Sequence, residues 1–80
     1  MIEVVLYTKA DCSLCDEMKA VVARVRAEVP FALAVVDIES DPALGAAYGL
    51  DIPVLVIDGR KAFKHRVDAR ALKRRLAAVL

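Results

Sequence analysis

The chain has 80 residues, of which 59% are apolar and 29% charged, and its formal net charge is +1. This length predicts one compact domain over residues 1–80, and the composition excludes disordered and fibrous classes. The chain shows no basic leader and no long apolar segment, and a single close cysteine pair suits a reducing compartment. We therefore expect a soluble, cytoplasmic protein without membrane contact, and a monomer.

Charge is distributed unevenly along the chain. Residues 60–80 hold eight basic residues against one acid, whereas residues 1–59 hold four basic residues against ten acids. The basic end could attract an acidic protein partner or nucleic acid. Cations at the end of a final helix also favour its dipole, and no aromatic residues are interleaved with them. We therefore expect no nucleic-acid partner.

The first half of the chain alternates extended and helical patterns. Ile2–Tyr7 is rich in β-branched residues and predicts a buried strand. Apolar residues then recur at steps of three and four up to about Glu28, which predicts a helix that Pro30 ends. Phe31–Asp37 predicts a second strand, parallel to the first. The apolar positions of this helix are Leu14, Met18, Val21, Val22, Val25 and Val29.

The second half predicts a short helix, a hairpin and a last helix. A capping oxygen followed by Pro42 starts the short helix, which Gly49 ends. Strands Val54–Ile57 and Lys61–His65 flank the turn at Asp58 and Gly59. Asp68 caps the last helix, whose apolar stripe comprises Val67, Leu72, Leu76, Val79 and Leu80.

These elements predict an α/β fold of order β-α-β-α-β-β-α, with one mixed four-stranded sheet and three helices. The helices and strands also supply a core. We expect four of the valines in particular to be core residues without any other role: Val21, Val22, Val36 and Val56.

Both cysteines lie in the segment Cys12-Ser13-Leu14-Cys15, where the first strand's loop enters the first helix. The free N–H groups and the dipole at a helix N-terminus stabilise an anion, so we expect the Cys12 thiolate to form at lower pH than a free thiol's. Cys15 lies on the same side, closer to the packed face, and should be less accessible. Lys9 favours the thiolate, whereas nearby carboxylates oppose it.

Three uses of this pair compete. A structural staple across so short a loop contributes roughly 2 kcal/mol in the loop-closure model. A zinc site needs four ligands, and the only histidine, His65, is distant in sequence, although a metal or iron–sulfur cluster could bridge two copies of the chain. Redox exchange needs nothing beyond the two thiols, and C-x-x-C beside a βαβ pattern favours it. A further alternative is that the chain is an inert adaptor that docks on a partner by its basic end.

Two segments carry a resemblance to a known family. VVLYTKADCSLCDEMKAVV and YGLDIPVLVIDG resemble the glutaredoxin side of the thioredoxin superfamily, and in particular its small bacterial glutaredoxin-like proteins. The resemblance covers nearly the whole chain and implies a thioredoxin-like fold. It implies Cys12 as the exposed nucleophile and Cys15 as the resolving thiol. It also implies a cis bond before Pro53, with Ile52 and Pro53 against the cysteines.

The spacing of the cysteines and their place at a helix start, together with the resemblance, lead us to expect a dithiol–disulfide oxidoreductase, and the exchange needs no metal or organic cofactor. Its substrate is a disulfide-containing protein or a small thiol compound, bound beside the backbone of Ile52, with Tyr7 packed near the site. The glycine pair with which glutaredoxins bind glutathione is replaced here by His65 and Arg66. A protein reductase or another thiol reductant is therefore an alternative to glutathione as electron donor.

Overall fold

The computed structural model describes residues 1–79; Leu80, predicted in the stripe of the last helix, lies outside the described residues. The elements follow the predicted order, with a short 3₁₀ turn in addition. They are β1 (Glu3–Thr8), α1 (Ser13–Glu28), β2 (Ala32–Asp37), the 3₁₀ turn (Ile38–Ser40), α2 (Pro42–Tyr48), β3 (Val54–Ile57), β4 (Arg60–Lys64) and α3 (Ala69–Val79).

The four strands form one mixed sheet in the order β2-β1-β3-β4. β1 pairs in parallel with β2 and antiparallel with β3, and β4 pairs antiparallel with β3. The predicted mixed sheet is therefore present. Because β1 is central, its C-terminal end at Thr8 leads into the cysteine loop from the middle of the sheet.

The core lies between one face of the sheet and the helices α1 and α3. Alternate residues of β1 and β3 point into it, as the period of a strand requires. Apolar residues of the two helices close it from the other side. Its buried members are Ile2, Val4, Leu6, Met18, Val22, Val25, Phe31, Leu55, Ile57, Leu72 and Leu76.

Burial differs among the four valines predicted as core. Val22 and Val56 are buried, and Val21 packs against the core cluster. Val36 is only half-buried, because it lies on the edge strand β2, and its neighbour Val35 is 50% exposed. Hydrophobic pattern alone does not distinguish an edge strand from a central one.

The helix boundaries follow local signals in the sequence. α1 ends before Pro30, with Val29 already extended. The Oδ1 atom of Asp41 accepts from the N–H of Ala43 at 2.9 Å, and that of Asp68 accepts from the N–H of Ala71 at 2.7 Å. Asp41 and Asp68 therefore cap α2 and α3. Among the described residues, no helix is both long and apolar enough to cross a membrane.

The β3–β4 hairpin has the predicted turn. Asp58 and Gly59 take φ values of 48° and 83°, the left-handed conformation that such a turn requires. β4 occupies Arg60–Lys64, one residue earlier than predicted. His65 leaves the strand because its φ of 65° is incompatible with extended pairing.

Candidate active site

Cys12 is the N-cap residue of α1. Its backbone is extended, and its Sγ accepts a hydrogen bond from the backbone N–H of Cys15 at 3.1 Å. Asp11, immediately before it, has a φ of 55°, so the chain turns sharply between β1 and the helix. The sulfur of Cys12 thus lies at the start of the helix, as predicted, and contacts one of the free N–H groups of the first turn.

Cys15 lies one turn further and is joined to Cys12 by a disulfide bond, with the two Cα atoms 5.2 Å apart. The two residues differ in exposure: Cys15 is 0% exposed, whereas Cys12 is partly exposed. Cys12 is therefore the residue of the pair that has contact with solvent. This is the difference in access that the sequence predicts.

Ile52 and Pro53 lie at the same end of the sheet as the cysteine loop, which is the C-terminal end of β1. β3 pairs with β1 so that Val54 is opposite Tyr7, which places Pro53 level with the end of β1. The Ile52–Pro53 bond is cis, as the resemblance implies. Pro53 is buried, and its carbonyl accepts from the N–H of His65 at 2.8 Å. Ile52 is half-buried and precedes the paired part of β3.

Two residues near Ile52 are not among those predicted from the sequence. Tyr48, at the end of α2, stacks on Tyr7 with the ring centroids 4.4 Å apart. Asp51 pairs with Lys61 at 3.5 Å and with Lys64 at 3.7 Å. These contacts attach the segment before Ile52 to β1 and β4. No spacing in the sequence relates Tyr7 to Tyr48. The position of Asp51 directly before Ile52 is, however, a signal that Asp51 helps to hold this segment.

Lys9 is exposed in the loop between β1 and Cys12. None of the three ion pairs found among residues 1–79 involves it. Its effect on a thiolate at Cys12 stays a prediction. The structure brings Lys9, Cys12 and Cys15 together in one loop and the helix start that follows it. The pairing of β1 with β3 places Tyr7, Ile52 and Pro53 at the same end of the sheet.

A groove of about 460 Å³ lies beside the cysteine pair, between α1 and the start of α3. Its lining is mostly apolar, with charged side chains among it. Leu14, one of the two residues between the cysteines, is among the lining residues, so the groove adjoins the helix start that carries the pair. The lining comprises Leu14, Glu17, Met18, Val21, Phe63, His65, Arg66, Val67, Asp68 and Ala71.

His65 and Arg66 occupy the segment between β4 and α3, and both side chains are exposed. The backbone of His65 is left-handed, with a φ of 65°, a conformation that glycine adopts without strain. Within residues 1–79, no three His, Cys, Asp or Glu side chains come together as a metal site would require.

Comparisons with known proteins agree with this geometry. The chain is 38% identical to protein XcR50 from X. campestris, with a TM-score of 0.80 and coverage of 94% of this chain and 96% of that one. It is 30% identical to desulfothioredoxin from Desulfovibrio vulgaris Hildenborough, with a TM-score of 0.75 and coverage of 96% and 80%. The fold is therefore thioredoxin-like, as predicted.

Sequence comparisons give the family. Uncharacterized protein Rv0508 of Mycobacterium tuberculosis is 29% identical over 80 aligned positions, and the match covers 94% of this chain and 82% of the relative. The model of the glutaredoxin-like domain (DUF836) matches residues 3–77, which include every element of the sheet and the cysteine pair. The chain therefore belongs to the glutaredoxin-like domain family.

Proposed function

We propose that this protein is a dithiol–disulfide oxidoreductase that reduces disulfides through Cys12 and Cys15. The observation that carries the proposal is the unequal pair at the start of α1. Cys12 is partly exposed and its sulfur accepts an N–H hydrogen bond, whereas Cys15 is fully buried. Family membership and a thioredoxin-like fold support the same class of chemistry.

The N-cap geometry supports Cys12 as the nucleophile. The N–H of Cys15 and the positive end of the α1 dipole would stabilise a thiolate at Cys12 in the reduced protein. We therefore expect the pKa of the Cys12 thiol to lie below that of a free thiol. The exposed ammonium group of Lys9 acts in the same direction, and three exposed carboxylates, those of Asp11, Asp16 and Glu17, act against it.

The reaction has two exchange steps. The Cys12 thiolate attacks one sulfur of the substrate disulfide, that bond breaks, and the released substrate thiolate takes a proton from water. The Cys15 thiol then loses its proton and attacks the Cys12 sulfur of the mixed disulfide, which releases the second substrate thiol. Two electrons pass to the substrate, and the disulfide seen in the structure is the oxidised product.

Substrate positioning belongs to Ile52, Pro53 and Tyr7 in this proposal. Ile52 precedes the paired part of β3, so its backbone N–H and C=O can hydrogen-bond an extended substrate segment. In this proposal Tyr7, which stacks on Tyr48, packs near the site. A thiol reductant or a protein reductase restores the dithiol. We further propose that the protein is a monomer and that it acts in the cytoplasm, a compartment in which thiols stay reduced.

Paired cysteine variants test the function. Cys12→Ser should abolish reduction of a small disulfide such as hydroxyethyl disulfide, because it removes the attacking sulfur. Cys15→Ser keeps the attacking sulfur and loses the resolving one, so a mixed disulfide with the substrate should accumulate and be visible by mass spectrometry. Full activity of Cys12→Ser would contradict the proposal.

The electron donor and the metal-binding alternative are tested on the same preparation. Oxidised protein is offered glutathione in one assay and a thioredoxin-type reductase in the other, and activity with neither would favour an inert adaptor. Stoichiometric iron or zinc in the purified protein, with no reductase activity, would favour a binding module instead.

A further inference from the structure

The fold separates the charges of this nearly neutral chain. The sheet order places β4, with its Arg60, Lys61 and Lys64, at one edge, and β2 at the other. The exposed acids Asp37 and Glu39 lie at the end of β2. α3 adds further cations on its side of the molecule. A net charge of +1 therefore conceals one basic side and one acidic edge.

Lysines, not arginines, make the ion pairs of the basic side. Among residues 1–79, the ion pairs use Lys61 and Lys64 with Asp51, and Lys73 with Glu28. Asp68, the one acid of residues 60–80, accepts a hydrogen bond as the cap of α3. The five arginines of residues 60–80 are all exposed and take part in none of these pairs. Three of them are spaced four residues apart; we term these three the arginine face, and they are Arg66, Arg70 and Arg74.

Helix stability does not explain the arginine face. The described part of α3 runs from Ala69 to Val79 and carries no basic residue in its last turn, contrary to the expectation from the sequence. Arg70 is the second residue of this helix and Arg66 precedes it, so both lie at the end where the dipole disfavours cations. Arg70 and Arg74 are also opposite the buried Leu72 and Leu76, and they do not contribute to the core.

The arginine face begins at the groove beside the start of α1. Arg66 lines the groove that also contains Leu14, between the two cysteines. From Arg70 to Arg74 the helix advances about 6 Å. A protein interface of ordinary size covers about 800 Å² on each partner. A macromolecule with its disulfide at Cys12 would therefore cover the groove and reach the arginine face.

We infer that the arginine face recognises an acidic surface on a protein that exchanges disulfides at Cys12. This inference rests on the proposed function and adds the partner's charge to it. Carboxylates of the partner pair with the guanidinium groups, which present several donors in a planar fork. Opposite charges across the contact raise the association rate and orient the partner.

The surroundings of the arginine face fit a protein better than a nucleic acid. The adjoining groove has an apolar floor that includes Met18, Val21 and Phe63, and its lining includes the carboxyl groups of Glu17 and Asp68. Those carboxylates would repel phosphates. The stacked pair of Tyr7 and Tyr48 lies on the other face of the sheet, away from α3, and cannot stack bases beside the arginines.

The test compares two synthetic peptide disulfides of equal length that differ only in flanking residues, glutamates in one and lysines in the other. At low ionic strength the reduced protein should react with the acidic peptide about tenfold faster, measured as kcat/KM. High salt should remove most of that difference, because exposed charges are screened. Binding of the same peptides with serine in place of cysteine, followed by fluorescence anisotropy, should show the same order of affinity.

Variants assign the effect to the arginine face. The double variant Arg70→Glu/Arg74→Glu should lose or invert the preference for the acidic peptide. The control Lys19→Glu/Arg24→Glu makes the same change in net charge on exposed positions of α1 and should keep it. Both double variants should reduce uncharged hydroxyethyl disulfide at the wild-type rate.

The outcomes separate this inference from the proposed function. Failure to reduce any disulfide would contradict the proposed function, while the anisotropy measurement still decides the charge preference. Equal rates and equal binding for the two peptides at low salt would overturn the inference, as would equal effects of the two double variants. Tighter binding of a single-stranded oligonucleotide than of the acidic peptide would also overturn it.

Discussion

Lys9 is the one basic residue in the loop that leads from β1 to Cys12, the proposed nucleophile. Replacing it with glutamate exchanges a positive charge for a negative one close to a thiolate. We expect Lys9→Glu to raise the pKa of the Cys12 thiol and to lower the thiolate fraction at neutral pH by up to about tenfold. The ultraviolet absorbance of the thiolate, followed in a pH titration of the reduced protein, measures the change.

Lys19→Glu is the matched control for this substitution. Lys19 is also an exposed lysine, but it lies in the second turn of α1, away from the start of the helix. Its replacement makes the same change in net charge and should leave the thiolate titration nearly unaltered, since exposed charges are screened with distance. Equal shifts of the Cys12 pKa in the two variants would contradict a specific role for Lys9 at the site.

At the scale of elements, the contact between α1 and α3 includes an ion pair. Glu28 ends α1, and its Oε2 atom lies 2.6 Å from the Nζ atom of Lys73. The hydrogen bond from Lys73, followed by the positive charge of that residue, lowers the pKa of Glu28 from its ordinary 4.5. A lowered pKa in the folded state means that the charged form stabilises the fold. That contribution is present above pH 4.5 and is lost as the pH falls through the lowered value.

Glu28→Gln should therefore unfold at a slightly lower urea concentration than the wild type at neutral pH. The difference should vanish in acid, because the wild-type carboxyl is then protonated as well. It should be small, since both side chains are exposed. In a Lys73→Met background, Glu28→Gln should have a smaller effect at neutral pH, because only the weaker attraction of Arg24 for the Glu28 carboxylate then remains. A difference that persists in acid would contradict the ion pair as its cause.

Elements with strong local signals were predictable, and details set by tertiary contact were not. Pro30, Asp41 and Asp68 mark helix ends through backbone and capping chemistry that operates locally. The Asp58–Gly59 turn was equally predictable, but the hydrogen bond from the N–H of Glu3 to Asp58 joins residues far apart in sequence. The limited burial of Val36 likewise depends on strand order, which hydrophobic pattern does not encode.

At the scale of the molecule, one core joins the sheet to α1 and α3. Leu76 is wholly buried in this core. Leu76→Ala should lower the free energy of unfolding by about 2–5 kcal/mol, through lost burial and the cavity that remains. A domain of this size has only about 4–12 kcal/mol in total, so the loss should be evident in a urea titration.

Leu50→Ala is the matched control, because it removes the same atoms from a side chain that is 95% exposed. We expect it to change the free energy of unfolding by less than about 0.5 kcal/mol. If Leu76→Ala destabilised the protein no more than Leu50→Ala, α3 would not share the core with the sheet.

The candidate site shows the same division between local and tertiary information. The cysteine pair and its place at a helix start follow from Cys12, Cys15 and the apolar period after them. Pro53 comes from the family resemblance, because nothing adjacent to it in sequence requires a cis bond. The groove beside Leu14 and the contacts of Asp51 form only when α3 and β4 pack, so sequence spacing could not reveal them.

The sulfur of Cys12 is both the proposed reacting atom and the acceptor for the backbone N–H of Cys15. Any change in the bonding of that sulfur alters the electron density that this amide proton meets. The nitrogen–proton NMR resonance of Cys15 is therefore an intrinsic indicator of oxidation state. It would distinguish the dithiol, the mixed disulfide with the substrate and the Cys12–Cys15 disulfide, without a probe attached to the protein or to the substrate.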